Sequence, residues 1–228
     1  MPRLARPRFL SRQPEPEPAP EPSDGPSRQE LEISQGAYPA LASLGWILSR
    51  QAKRPIDAAG RPIPWYTYPA ISFLGERVTE RMNVFEFGCG QSTLWWANRA
   101  KRVTAVEHDE NWASYLREQA PPNASVSHVA LEEGGAYSRA ALDSEEGPFH
   151  VIVIDGRDRV NCARNNLSAL SDDGVILWDN SDRSKYRSGR GFLREEGFKQ
   201  LPLVGMGPQV ARIWETSIFY RPANCFGI

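Results

Sequence analysis

Four short apolar runs in this chain end on side-chain oxygen: Glu86 in "NVFEF", Glu107 in "RVTAVE", Asp155 after "HVIVI", and the pair Asp179 and Asn180 after "GVILW". The first is followed at once by Gly88 and Gly90 in "FEFGCGQST". Two missing Cβ atoms there allow unusual backbone angles and let a ligand approach the chain, and a helix starting near Ser92 adds unpaired amides. A carboxylate placed just before the turn repels phosphate and suits a ligand with a positive group. At the other end, Asp155, Asp179 and Asn180 form a hard oxygen set of the kind that suits Mg²⁺, Mn²⁺ or Ca²⁺.

These residues need a scaffold that brings the ends of separate runs together. Short apolar runs alternate with helical stretches: "NVFEF", then Ser92 to Ala100 as a helix, "RVTAVE", Asn111 to Gln119 as a helix, then "SVSHVA". "HVIVIDG", a helix over "NCARNNLSAL" and "GVILWDN" complete the rhythm. The pattern predicts an α/β fold with a parallel sheet covered by helices on both faces. Ligands then lie beyond the carboxyl ends of the strands, and neighbouring ends sit about 5 Å apart. "FKQLPLVGMG" and "ARIWETSIFYR" leave no room for a helix between them and predict an antiparallel hairpin at the end of the sheet. Ahead of the alternation, "YPALASLGWILSR" and "YPAISFLGERV" read as two apolar-faced helices within residues 31–80, covering the core of a domain at 81–228. Residues 1–30, dense in proline, carry almost nothing to bury and are expected to be disordered.

Composition excludes several classes of function. A net charge of -1 gives no global attraction to nucleic acid or to an anionic membrane. No apolar run approaches the roughly 20 residues that span a bilayer. Cys89, Cys162 and Cys225 are odd in number and widely spaced, which argues against a disulfide framework and fits a reducing, cytoplasmic setting.

Two familiar glycine-turn fingerprints are incomplete. Thr93 stands where a dinucleotide-binding GxGxxG has its third glycine, and no lysine follows as in a phosphate-binding loop. What remains, Glu86-Phe87-Gly88-Cys89-Gly90-Gln91-Ser92, resembles the first motif of class I S-adenosylmethionine-dependent methyltransferases, acid-x-Gly-x-Gly-x-small. The resemblance extends from about Tyr66 to Tyr220 and implies a Rossmann-like, seven-stranded fold whose last strand is antiparallel. It implies that Glu86, Gly88, Gly90 and Ser92 bind the amino-acid part of S-adenosylmethionine, that Glu107 accepts from the ribose hydroxyls, and that His108 lies against the adenine. Asp155 with the "DN" pair is similar to the cation-dependent O-methyltransferases of the catechol and caffeoyl-coenzyme A type. That implies a divalent ion on Asp155, Asp179 and Asn180, and methylation of an oxygen on a small-molecule acceptor. The chain departs from this pattern where a lysine base is expected, because Asp158 stands there between Arg157 and Arg159. Asp155 and Asp158 are therefore the candidate catalytic acids. An NAD-dependent oxidoreductase and a non-catalytic methyltransferase-like binding module stay open as alternatives.

Other features have plainer readings beside functional ones. "DRSKYRSGRGFLR" is either a lid that selects an anionic acceptor or a solvated loop and helix face. Trp65, Tyr66 and Tyr68 border the acceptor or pack in the core, and Tyr137 is a weaker candidate of the same kind. His128 and His150 read as structural, and Cys89 as a small space filler.

Overall fold

The computed structural model describes residues 28–228. Most of the proline-rich segment lies outside the described residues, but positions 28–30, expected to be disordered, open the helix α1 (Arg28–Ser43). The chain divides into two compact units between Tyr38 and Pro39. In the first, α1 starts on an exposed Arg28–Glu32 pair one turn apart.

In the second unit, the run expected as one helix from Tyr38 to Arg50 is broken at Gly45. That residue has φ 75°, and a Cβ on it would come within 2.4 Å of the Asp57 carbonyl carbon. Only glycine fits this left-handed, crowded position. The chain restarts as α2 (Trp46–Ala52) and continues to α3 (Tyr68–Gly75), whose cap Thr67 accepts from the Ala70 amide.

Seven strands follow: β1 (Asn83–Phe87), β2 (Arg102–Glu107), β3 (Ala124–His128), β4 (Phe149–Ile154), β5 (Leu170–Asp179), β6 (Lys199–Met206) and β7 (Ile213–Tyr220). They form one sheet in the order β3-β2-β1-β4-β5-β7-β6. The first five are parallel, and β7 runs antiparallel between β5 and β6. Side chains alternate across the sheet. Phe85, Ile152, Ile154, Ile176 and Trp178 face one way, toward α6 (Ala136–Arg139), α7 (Arg159–Asn165) and α8 (Arg187–Glu195). Val84, Val151, Val153, Val175 and Leu177 face the other, toward α3 and α4 (Gln91–Ala97). Burial on both faces explains why these strands read as continuous apolar runs. A smaller cluster packs Ala113 and Leu116 of α5 (Glu110–Gln119) on Ala105 and Val126.

The helix expected over Asn161 to Leu170 ends at Asn165. The buried Asn166 side chain donates to the carbonyls of Ser138 and Cys162 and accepts from the Leu142 amide, which turns the chain toward β5. The turn between β6 and β7 is tied to α2, with Trp46 donating to the Val210 carbonyl at 3.4 Å and Arg50 to the Gln209 carbonyl at 3.4 Å. Among the described residues, no helix is long and apolar enough to cross a membrane.

Candidate functional site

Register places the four acids on one rim. Glu86 pairs with Ala105, two residues before Glu107, and Ile154 lies opposite both Phe87 and Trp178. Asp155 and Asp179 are therefore level at the carboxyl ends of adjacent parallel strands. The turn after β1 continues the ladder for one more residue, the Gly88 amide donating to Val106 at 2.8 Å. Gly88 has φ 89°, and a Cβ there would sit 3.0 Å from the Gly156 Cα. Gly90 differs from the expectation of unusual backbone angles at both positions. Its φ of 176° is extended, and a Cβ on it would meet no protein atom within 4 Å. The fold requires glycine at 88, whereas at 90 glycine keeps space open.

Beside this turn lies a cavity of 270 Å³ lined by Glu86, Gly88, Ser92, Glu107, His108 and Asp155, among others. Glu86 is 1% exposed and accepts a hydrogen bond from the Thr93 hydroxyl, which itself accepts from the Gly90 amide. Burial pushes its carboxyl up to about 8, with the charges of Asp155 and Glu107 adding and the hydroxyls of Ser92 and Thr93 opposing. A buried carboxyl with so little compensation favours a cationic ligand group beside it. Glu107 is fixed by backbone: Oε1 accepts from the amides of His108 and Asp109, at 2.8 and 3.0 Å, and Oε2 from Cys89 at 3.2 Å. Two oxygens offer about four acceptor sites. Three are thus used, which leaves about one for a ribose hydroxyl rather than the pair expected. The buried His108 Nδ1 has no hydrogen-bond partner, although it lies against the Glu107 carboxylate.

A second cavity, of 310 Å³, adjoins the first through Asp155 and is lined also by Trp65, Asp179, Asn180, Arg212 and Trp214. Here the expected metal ligands do come together, and one oxygen of each aspartate is engaged by the protein. Asp155 Oδ1 accepts from Arg159 at 2.9 Å. Asp179 Oδ1 accepts from Trp214 Nε1 at 2.9 Å and from Thr216 Oγ1 at 2.6 Å. The guanidinium of Arg159 also donates to the carbonyls of Asp155, Gly156 and Asp179, tying together the ends of β4 and β5. Asn180 sits at φ 52°, and its carbonyl accepts from the Arg183 amide in a tight turn. Arg159 thus sets a fixed cation against Asp155 where the divalent ion was expected, while the donors to Asp179 Oδ1 are neutral. Among the described residues, no group of three or more His, Cys, Asp or Glu is arranged to hold a metal.

Burial and the neighbouring charge of Asp155 push the Asp179 carboxyl up to about 7. Asp155 is also raised by burial, opposed by Arg159 and Arg183. Asp158, the other candidate catalytic acid, faces away from both cavities. It accepts from the Gly134 amide at 2.8 Å and from Asn161 at 2.9 Å, and so anchors a loop.

Sequence reading missed Arg159, Arg212, Thr216 and Trp214. Of the aromatics it raised, Trp65 lines the second cavity, while Tyr66 and Tyr137 are fully buried in the core. In the basic stretch, Arg190 and Arg194 line a separate groove and only Arg183 acts on Asp155. His150 accepts from the Asn83 amide and is structural.

Residues 85–181 match the family model described as a methyltransferase domain. No curated protein matches the chain in sequence. Among solved structures, a methyltransferase from Geobacter sulfurreducens is 14% identical with a TM-score of 0.51, covering 83% of this chain and 96% of its own. A precorrin-6y C5,15-methyltransferase from Geobacter metallireducens is 14% identical with a TM-score of 0.52, covering 66% and 87%. A provisionally named caffeoyl-CoA O-methyltransferase from Staphylococcus aureus is 11% identical with a TM-score of 0.52, covering 85% and 98%. These likenesses concern the fold. The sequence match covers residues 85–181, and the fold built around it is shared with these methyltransferases.

Proposed function

We propose that this chain methylates an oxygen of a small molecule held in the second cavity, with the methyl donor in the first. The observation that carries the reading is that the two cavities meet at Asp155, so donor and acceptor sites share one carboxylate. Glu86 faces the donor's ammonium group, the open space at Gly90 admits its amino-acid part, Ser92 lines the same cavity, and Glu107 takes a ribose hydroxyl. His108 borders the adenine. When bound, S-adenosylmethionine supplies a methyl group on positively charged sulfur; attack by the acceptor oxygen breaks the carbon–sulfur bond, and S-adenosylhomocysteine leaves.

The chain's own part is to orient the acceptor and take its hydroxyl proton. Asp155 and Asp179 lie level on adjacent strands, and Asp179 at about 7 is poised to accept a proton near neutral pH. Arg159 holds Asp155 in place from a position that is 8% exposed. Asp155 and Asp179 act here as carboxylates of the chain itself, Oδ1 of the first held by Arg159 and Oδ1 of the second by Trp214 and Thr216.

The test is a screen of acceptor classes with isotopically labelled methyl donor, run with and without chelator. Label transfer to a hydroxyl is the expected result. Thermal stabilisation by NAD and not by S-adenosylhomocysteine would end the reading. A binding module without turnover is disfavoured by the open 310 Å³ cavity beside the donor site.

A further inference from the structure

The second cavity holds one cation among six lining residues, and that cation is uncommitted. Arg212 is exposed and joins no ion pair among the described residues. Its guanidinium carbon lies 5.8 Å from the centre of the Trp214 ring. Neither acid sharing the cavity forms an ion pair with it: Asp155 pairs with Arg159, and Asp179 accepts from the neutral Trp214 and Thr216.

The loop presenting Arg212 is built with some strain. Gln209 adopts φ 71°, a left-handed conformation unusual for a side-chain-bearing residue. Gly207 is wedged so tightly that a Cβ would come within 2.2 Å of the Tyr66 carbonyl and 2.4 Å of the Trp214 ring. The ties from Trp46 and Arg50 hold the same loop from the outside. These ties fix the backbone just before Arg212, whose side chain is exposed beside Trp214. The wall near it is aromatic: Trp65 is 45% exposed although it lines a cavity, and Trp214 turns its Nε1 inward to Asp179.

We infer that this cavity selects a ring-bearing acceptor that carries an anionic group, the anion paired with Arg212 and the ring lying against Trp65 and Trp214. The inference rests on the methyltransferase reading and names its substrate class. A carboxylate and a phosphate share the chemistry, and both match the planar fork of a guanidinium. Arg183, near Asp155, adds to the attraction without lining the cavity. A neutral ring leaves Arg212 unpaired and gains only the stacking.

The experiment uses the full chain saturated with S-adenosylhomocysteine, whose binding is measured first by calorimetry. Failure at that step overturns the methyltransferase reading and this inference with it. With the donor site filled, para-hydroxybenzoate, its methyl ester and para-hydroxybenzyl phosphonate are titrated at low salt. The anionic probes should bind at least about tenfold more tightly than the ester. Arg212→Ala should erase that preference without changing S-adenosylhomocysteine affinity, and Trp65→Ala should weaken acid and ester alike. Comparison of the carboxylate with the phosphonate then tells which anion the site favours. Equal binding of acid and ester, absence of binding by all three probes, or a preference that survives Arg212→Ala overturns the inference while the methyltransferase reading stands.

Discussion

Binding of the methyl donor should draw a proton out of Glu86, and the consequence is a steep dependence of affinity on pH. The carboxyl is pushed up to about 8 in the free protein by burial, with Asp155 and Glu107 contributing and the hydroxyls of Ser92 and Thr93 opposing. At pH 6 about one molecule in a hundred then has Glu86 ionised, and at pH 8 about half do. A ligand whose ammonium group needs the carboxylate should bind about fifty-fold more tightly at the higher pH, ~2.3 kcal/mol. The sign for folding is opposite. An acid raised above its unfolded value, here 4.5, makes the free protein less stable as pH rises from that value to about 8, and the ligand restores what is lost. Stabilisation by S-adenosylhomocysteine should therefore grow across this interval. Calorimetry in buffers of different ionisation enthalpy would count the proton released. Glu86→Gln should flatten the slope that Glu86 contributes. Methylthioadenosine, which lacks the amino-acid part, should show little of it in the wild type. If Glu86→Gln keeps the wild-type slope, or if the wild type has none, Glu86 does not face the ammonium group and the reasoning fails.

Gly90→Ala should leave thermal stability unchanged, because the added Cβ meets no protein atom within 4 Å, and should weaken S-adenosylhomocysteine binding at least about tenfold if the donor's amino-acid part lies there as proposed. Gly88→Ala should instead cost about 1–3 kcal/mol in urea unfolding, since both its positive φ and the nearby Gly156 backbone oppose a side chain. Arg159→Met, which leaves the Asp155 carboxylate and three carbonyls without their donor, should destabilise the fold by about 3–5 kcal/mol. Chelation should leave methyl transfer unchanged, and a loss restored by added Mg²⁺ would reinstate the oxygen triad as ligands. Trp214→Phe removes one of the hydrogen bonds that hold Asp179 down, so the ascending limb of the pH–rate profile should move to higher pH if Asp179 is the proton acceptor.

The central strands were legible because β1, β4 and the last six residues of β5 are buried on both faces and so read as apolar runs between polar turns. "RVTAVE" matches β2 residue for residue, and the hairpin was announced by the short Gly/Pro turn between its two runs. Helix ends were less legible. Gly45 breaks one helix through a close approach to residues 56–58, and Asn166 ends another through partners at Ser138 and Leu142, all distant contacts that local pattern does not record. The place of Glu86 and Glu107 at one rim could be read from the sequence, since an acid on the end of a strand reaches the rim whatever surrounds it. The amides of the turn that occupy three of the Glu107 acceptor sites could not be read, because no residue type reveals them.

The acceptor side shows why a constellation of ligand types is weaker evidence than a constellation of unsatisfied ones. Asp155, Asp179 and Asn180 converge as their strand positions require, and in isolation three oxygens at one rim call for a cation. The fold supplies it from Arg159, four residues after Asp155, where the first turn of α7 brings the guanidinium back over the strand ends. Asp158, beside it in sequence, points to Gly134 because its left-handed backbone turns it out of that path. In the "RDR" run, one residue separates a loop anchor from the internal counter-ion, and the helix start decides between them. The cavity's own cation is Arg212, on a loop whose position depends on α2 and Tyr66, far away in sequence. Selection of an anionic acceptor would follow from that cation, since Asp155 is paired with Arg159 while Arg212 joins no ion pair among the described residues.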